Sequence, residues 1–449
     1  MKPAILIAWL AGYAMAGLGG AWAQKPDALV EQGRALYFGT QRFANSPHIA
    51  GASLPAGVSA CVNCHGALGA GVREGVQAAP DITLRTAAAS SKWLIAAMQG
   101  KTLTGRSLNT SMPRYLLSPD EQAALAAYAP LLGSAADTAR GVTSNELVLG
   151  VYMSDKHHSA ASNEILAGVT RVFTAVNTQG GVHGRKLRVM AVRNPEQAQS
   201  VFALVGSLRQ DKALEQTLAA QRLPSLAALT LSLEAVNASG WTAPLLPSLQ
   251  EQAQLMVRTL HAKAAELDCT PWLIDSLQVV NAQDPELGAV QRFASADAAS
   301  LVARPARLCL GIVMGEAGST RLLKDLTDSD KPLPLLISLA ALGTVYASAT
   351  STLHLQILPT PLAVATHANA AGQSLWASLG EAAGHTVVEA LARSGSRLQP
   401  EIALAKLREL SGYAPLADAP LAWSRTRAHG WQPTMWMVPT DLVGLRQLP

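Results

Sequence analysis

Five residues, Cys61-Val62-Asn63-Cys64-His65, constrain this chain more than any other stretch of it. Two cysteines separated by two residues and followed at once by histidine are the attachment site of a c-type haem. Each thiol adds across one vinyl group, and the two-residue spacer sets the separation those bonds need. His65 follows directly as an axial ligand to the iron, a role neutral imidazole fills well. Once joined, the cofactor cannot dissociate. A zinc site would need a second ligand pair at matching spacing, and the sequence holds no other CxxC and no HxxxH. A disulfide-exchange site would sit in a β-α-β setting, which this region lacks.

The first residues bear on where such a chemistry is assembled. Met1-Lys2-Pro3 precedes an apolar run from Ala4 to about Ala21, and Ala21-Trp22-Ala23 carries small residues where a signal peptidase reads. Residues 1–23 are therefore expected to be a signal peptide cleaved before Gln24; a retained anchor is the alternative. Gly12, Gly17, Gly19 and Gly20 and the single basic residue disfavour a stable span. No later segment is apolar for long enough to cross a bilayer, so the mature chain is expected to be periplasmic, without a membrane span. With 449 residues, two to three domains are expected. Hydrophobic residues make up 49% and charged residues 15%, which excludes a largely disordered chain. The net charge of +4 is mild and the basic residues are scattered, so no nucleic-acid partner is indicated.

Residues 24–133 read as the haem domain. Ala28 to Phe38 is helical; Asn45 to Ser59 is a long loop rich in Gly, Ser and Pro. Lys92 to Met98 has helical periodicity and ends at Gly100, and Ser118-Pro119-Asp120-Glu121 is a strong helix start that leads through Leu125, Tyr128 and Leu131 to Gly133. The sixth iron ligand has to lie downstream of His65. Met112, in Thr110-Ser111-Met112-Pro113, is the best candidate, a soft thioether that favours ferrous iron. Met98, assigned to helix packing, and His48, in the preceding loop, compete with it.

These residues resemble the small class I cytochromes c. The resemblance runs over about Ala28 to Leu132: Gln32 to Tyr37, Cys61 to Gly66, Pro80, Trp93-Leu94, Gly100, Ser111-Met112-Pro113, and Leu117 to Glu121 into Ala127-Tyr128. It implies an all-α fold, one covalent haem c, and a Pro80 carbonyl that accepts from the second nitrogen of His65. The long segment before Cys61 departs from the shortest family members.

Residues 134–145 are small, polar and turn-rich, a linker to residues 146–449. There, strand and helix alternate: Leu147 to Tyr152, Asn163 to Asn177, Lys186 to Val192, Val201 to Gly206, a helix to Gln221, Leu226 to Leu229, and Leu308 to Met314. Such alternation means parallel sheets covered by helices. Cys269 and Cys309 either form a disulfide or remain two buried thiols.

Ala175 to Leu187, with Asn177-Thr178-Gln179-Gly180-Gly181-Val182-His183-Gly184-Arg185-Lys186-Leu187 at its heart, resembles the leucine/isoleucine/valine-type (type I) periplasmic binding proteins. Leu223 to Leu226, Val387 to Leu391 and Ala403 to Gly412 agree more loosely. The resemblance implies two α/β lobes around a cleft that closes on a small ligand by a hinge. Ligands in such sheets meet the loops at the carboxyl ends of strands. By family position Ser207, Ala228 and Thr230 are cleft candidates, although the usual serine-rich turn is absent. Lys156, His157 and His158 sit in the first such loop, as an anion or metal contact or as a solvated loop.

The chain is thus expected to be multidomain: an all-α cytochrome c domain followed by a two-lobed α/β binding module. No nucleophile–base arrangement and no phosphate loop occurs, so an electron carrier rather than an enzyme is expected. Its partners would be a periplasmic redox protein, a small-molecule ligand and possible permease components of an ABC importer. An importer's solute receptor with an accessory haem domain, and a dehydrogenase's cytochrome subunit with a non-binding docking module, are the alternative readings.

Overall fold

The computed structural model describes residues 28–437 except 40, 56–57, 75–76, 84–87, 135–136, 138, 154–158, 209–214, 219–220, 222, 232–239, 281–284, 297–298, 300–304, 314–321, 323–332, 340–352, 417 and 424–428. The expected leader at 1–23 and its expected cleavage point, and the loop residues Lys156, His157 and His158, lie outside the described residues. Among the described residues no helix is long and apolar enough to cross a membrane.

Among the described residues the haem-motif segment is built on four helices: α1 (Ala28–Phe38), α2 (Cys61–His65), α3 (Ala88–Gln99) and α4 (Pro119–Tyr128). Helix α4 starts as its sequence demands. The Ser118 side chain accepts from the Glu121 amide, the Glu121 carboxylate accepts from the Ser118 amide, and Pro119 occupies the first turn. It ends at Tyr128, short of the expected Gly133. The amides of Leu131 and Ser134 each bond the carbonyl three residues back, so the chain continues as tight turns. Helices α1 and α4 cross closely at Gly33, where an added Cβ would fall 2.0 Å from the carbonyl oxygen of Ala124. Leu36, Tyr37, Tyr128 and Leu132 are fully buried around that crossing.

The segment is not all-α. The expected loop before Cys61 contains a hairpin, β1 (His48–Ile49) with β2 (Ala52–Ser53), and a second small ladder pairs β3 (Arg73–Glu74) with β4 (Gln77–Ala78). The first hairpin turns on Ala50 and Gly51, both at positive φ (49° and 84°). That two-residue turn is the one whose twist matches antiparallel strands, and an alanine in it gives no pattern to read in the sequence.

The described strands of the rest of the chain form two separate sheets. The first has β5 (Glu146–Tyr152), β6 (Lys186–Val192), β7 (Leu204–Val205), β8 (Ser225–Ala228) and β9 (Thr242–Pro244), in the parallel order β6-β5-β7-β8-β9. Helix α5 (Ser159–Thr178) connects β5 to β6 and packs against α9 (Leu375–Arg393), with α10 (Pro400–Arg408) alongside. Strand alternation divides the side chains between the two faces. Leu147, Leu149 and Val151 join the core under α5 and α9, whereas Val148 joins Val192, Val201 and Leu204 on the other. The strand expected over 201–206 is reduced to two residues. The amide of Phe202 bonds Val148, but that of Leu204 turns to Pro224, so the segment changes partner midway.

The second sheet runs β11-β10-β12-β13-β14-β15, parallel except for the last strand. Its members are β10 (Thr270–Asp275), β11 (Gln291–Phe293), β12 (Leu308–Val313), β13 (Leu335–Leu339), β14 (His354–Leu358) and β15 (Thr434–Met437). Helix α7 (Leu249–Leu267), following the short α6 (Pro195–Ala198), covers one face through Met256, Val257 and Leu260. Cys269 and Cys309 form a disulfide, with Cα atoms 5.7 Å apart. Cys309 is held there by its pairing with Pro271, two residues beyond Cys269.

The chain passes between the two sheets at three places. It leaves β9 for α7, leaves β14 for α8 (Leu362–Ala370) and α9, and returns from α10 to β15. The first and third crossings are tied together, the amides of Gly430 and Trp431 donating to the carbonyls of Pro244 and Leu245. The haem-motif segment rests on the head of α10. Arg397 donates to Gly133 O (2.7 Å), Gln399 donates to Asp137 O (3.1 Å), and Ile402 packs on the cluster of Tyr37, Phe38, Tyr128 and Leu132.

Candidate haem site

Helix α2 is only five residues long, and it presents Cys61, Cys64 and His65 along one edge of a cavity of about 310 Å³. Gly66 stops the helix at φ 72°, its amide bonding Val62 O. The chain then turns back so that the amide of Gly71 reaches His65 O (2.9 Å) and that of Ile82 reaches Gly69 O (2.8 Å). This return brings Pro80 beside the imidazole, whose Nδ1 lies 3.0 Å from Pro80 O. A carbonyl only accepts, so Nδ1 carries the proton and Nε2 keeps its lone pair. Burial lowers the pKa of His65, opposed by the Pro80 carbonyl, and so favours the neutral ring that binds metals.

The surrounding helices brace that arrangement. Tyr37 of α1 donates to Gly66 O (2.6 Å) and stacks on Trp93 of α3 at 5.7 Å between ring centroids. The Trp93 indole donates to Ile82 O (3.1 Å), two residues past Pro80. Tyr115 donates to Ser59 O (2.7 Å), holding the entry to α2.

Met112 lines the same cavity as Cys61, Cys64, His65 and Pro80. Its loop is shaped by Asn109, whose side-chain oxygen accepts from the amide and hydroxyl of Ser111 (3.0 and 3.1 Å) while its carbonyl accepts from the Met112 amide (3.1 Å). The two competing residues are elsewhere. His48 lies in β1, bonded through its backbone to Arg114, and does not line the cavity. Met98 is absent from the cavity wall as well. Its assignment to helix packing is corrected, because 38% of it is exposed on α3. Asn109, Tyr115 and Arg114 were not singled out from sequence. The Asn-x-Ser spacing is a readable Asx-turn signal, whereas Tyr115 acts through Ser59, distant in the chain, and Arg114 is held by a backbone bridge to the equally distant His48.

The cavity suits haem c. It has two thiols at the attachment spacing, an imidazole with a free Nε2, a thioether, and apolar walls from Ile82, Trp93, Leu108 and Leu125.

At the carboxyl ends of the first sheet's strands, the structure brings the three described cleft candidates close in space. The amide of Leu229 bonds Ser207 O, so β7 and β8 continue side by side. Ser207 is fully buried, its hydroxyl accepting from the amide of Tyr152 (3.0 Å) and reaching Val205 O (3.4 Å). Ala228 is fully buried too, beside a bulge, and its carbonyl accepts from Leu245 N (2.8 Å); Thr230 is 1% exposed. The Ser207 hydroxyl and the Ala228 carbonyl thus serve to hold neighbouring strands together.

Fold and site together describe a c-type haem segment joined to a pair of parallel α/β sheets. Residues 49–129 match the cytochrome c family, which implies covalently bound haem c. Solved structures of periplasmic binding proteins are similar to the remainder. A protein from Silicibacter pomeroyi assigned to branched-chain amino acid ABC transport has 12% identity and a TM-score of 0.50, covering 67% of this chain and 90% of its own. A substrate-binding periplasmic protein from Ralstonia solanacearum has 15% identity and a TM-score of 0.45, over 65% and 97% of the two chains. An ABC transporter substrate-binding protein from Desulfitobacterium hafniense, solved in complex with Leu, has 15% identity and a TM-score of 0.45, over 66% and 98%. At such identities the likeness is one of fold. A comparison with curated proteins finds no match.

Proposed function

We propose that the chain is an exported electron carrier with one haem c, bonded to Cys61 and Cys64 and ligated by His65 and Met112. The observation that carries this reading is that all four side chains line one apolar cavity, with His65 already oriented by Pro80. When bound, haem c supplies a reversible one-electron couple. The protein's part is to hold and tune it. Cys61 and Cys64 prevent its loss, Pro80 keeps the His65 ring in the ligating tautomer, and the walls keep water from the iron. Cys64 is exposed, and Val58 at 61% and Val72 at 41% exposed rim the cavity. An electron would pass to a partner protein at that edge. The periplasmic setting is supported by the CxxCH motif, the leader-like first residues and the disulfide at 269–309.

The pair of sheets is proposed as a module that recruits or senses a small molecule, supported by its fold. One observation favours instead a module that docks a partner without holding a ligand: Ser207 and Ala228 are sealed into the strand ends. Thermal-shift screening of the full-length protein against small metabolites tests the choice. Stabilisation by a compound supports ligand binding, and its absence across the screen supports docking. For the haem, Met112→Ala is expected to abolish the near-infrared sulfur-to-iron band of the ferric protein while leaving the cofactor attached. Persistence of that band would rule Met112 out.

A further inference from the structure

Met112 sits in a loop fastened on both sides to the end of α3. Before it, the amide of Leu108 bonds Gly100 O (2.8 Å); after it, the amide of Tyr115 bonds Ala97 O (2.9 Å). Beyond that, the segment preceding the haem motif grips the same strand. His48 and Arg114 exchange backbone hydrogen bonds of 2.9 and 2.8 Å, Asn45 donates to Leu116 O (2.9 Å), and the Ala44 amide donates to the Glu121 carboxylate (2.7 Å). The Arg114 side chain closes the loop on itself. Its Nη1 donates to Met112 O and reaches Pro113 O at 3.5 Å. Its guanidinium passes directly over Gly100, where an added Cβ would fall 2.0 Å from Nε. Gly100 also stands at φ 65°, so it is suited twice over to this place.

We infer that Arg114 is a positioning residue for the sixth iron ligand, and that residues 44–54 form a clamp holding Arg114 and the Met112 loop against the haem cavity. This rests on Met112 filling the ligand role proposed above. A thioether is a neutral, weak donor, so its occupancy of the iron depends on how firmly the protein holds the sulfur in reach. Arg114 supplies the one described side-chain bond to the backbone of Met112, and it is charge-assisted. Losing such a bond in a half-buried setting raises the population of the opened loop about tenfold.

The test uses full-length holoprotein carrying Arg114→Ala, Arg114→Lys or Gly100→Ala, with carbon monoxide as the probe of the sixth site. Ferrous Arg114→Ala is expected to bind carbon monoxide about tenfold faster than wild type. Its near-infrared ferric band should fade at a lower temperature, and its reduction potential should fall. Arg114→Lys restores most of the rate difference, because an ammonium still reaches the Met112 carbonyl. Gly100→Ala reproduces the alanine phenotype by displacing the guanidinium, and with the lysine variant carries the test if Arg114→Ala fails to accumulate. Wild-type rates in both Arg114→Ala and Gly100→Ala overturn the inference, as does a lysine variant no better than alanine. A wild-type protein that lacks the band and matches Met112→Ala in carbon monoxide binding overturns the ligand assignment itself, a result separable from the first.

Discussion

The disulfide is the covalent staple of the second sheet, and its contribution is calculable. Cys269 and Cys309 are 40 residues apart, and their bond closes the loop carrying all of β10 and β11. In the chain-entropy treatment, closing about 40 residues removes roughly 13 cal/mol/K from the unfolded ensemble, or about 4 kcal/mol at 25 °C. Cys309 is fully buried among Leu273, Leu335 and Ile337, so replacing it with alanine adds a small packing loss of about 1 kcal/mol. The paired variant Cys269→Ala/Cys309→Ala should therefore be destabilised by about 4–5 kcal/mol in the unfolding transition of the α/β part. Guanidinium unfolding followed by tryptophan fluorescence reads that transition, because Trp241, Trp272, Trp376, Trp423 and Trp431 all lie there. The haem absorption band serves as an internal reference for the other part. Equal midpoints for variant and wild type by fluorescence would refute the reasoning, as would two titratable thiols in unfolded wild-type holoprotein.

Two further perturbations test buried charge. Burial lowers the His354 pKa to about 4 from an ordinary 6.5, so the unfolded chain binds the proton first as pH falls. Stability is full above pH 6.5 and is lost towards pH 4 by about 3 kcal/mol, and His354→Asn should flatten that slope in pH-dependent denaturation. Arg34 of α1 lies 3.9 Å from both Asp137 and Glu401, all three largely buried. Arg34→Met should destabilise by about 3–5 kcal/mol, whereas adding Asp137→Asn and Glu401→Gln should restore stability to near wild type in the same assay.

What the sequence revealed and what it concealed differ in the range of the interactions involved. The attachment motif and the Ser118 capping box are made within a turn or two of chain, so residue type and spacing were enough, whereas the Pro80 contact to His65 was expected only from the family resemblance. The strand Glu146–Tyr152 was legible because both of its faces are buried and its apolar run is nearly continuous, and the edge strand Lys186–Val192 because Leu187, Val189, Met190, Ala191 and Val192 still make it apolar enough to read. The clamp on Met112 was not. Its bonds join Ala44, Asn45 and His48 to Glu121, Leu116 and Arg114, and Leu108 to Gly100, and nothing local distinguishes an arginine that reaches back to its own loop from a solvated one. The hairpin at 48–53 was missed for a similar reason, its turn using Ala50 where asparagine or glycine would have signalled it. Ser207 is a case that sequence could not decide. Its family position suggested a ligand contact, but whether a hydroxyl faces a cleft or the amide of Tyr152 depends on the exact placement of two neighbouring strands. The cysteine pair stood between these cases, decided by a strand register that brings Pro271 opposite Cys309.

The joint between the two parts bears on how ligand binding and electron exchange could influence one another. Arg397, Gln399, Glu401 and Ile402, which meet the haem-motif segment, all stand at or just before α10, and α10 packs on β8 and β9 of the first sheet. Behind the contact, Tyr37, Phe38 and Tyr128 pack from Ile402 to Cys61 and Val62, Tyr37 edge to face with Phe38 (centroids 5.3 Å apart) and tilted against Tyr128 (5.9 Å). The haem segment is thereby fastened to the first sheet by a buried ionic and aromatic contact, which favours movement of the two as one piece. A closing motion about the three crossings would displace the second sheet relative to that piece. It would leave His65, Pro80 and the Met112 loop undisturbed, because every bond described for them is made within residues 37–121. Coupling of that kind acts on what can approach the exposed rim at Val58 and Val72, and so on the rate of electron exchange with a partner. With the proposed iron ligands His65 and Met112 both held inside the haem segment, the reduction potential should be the same with and without a compound bound to the sheets.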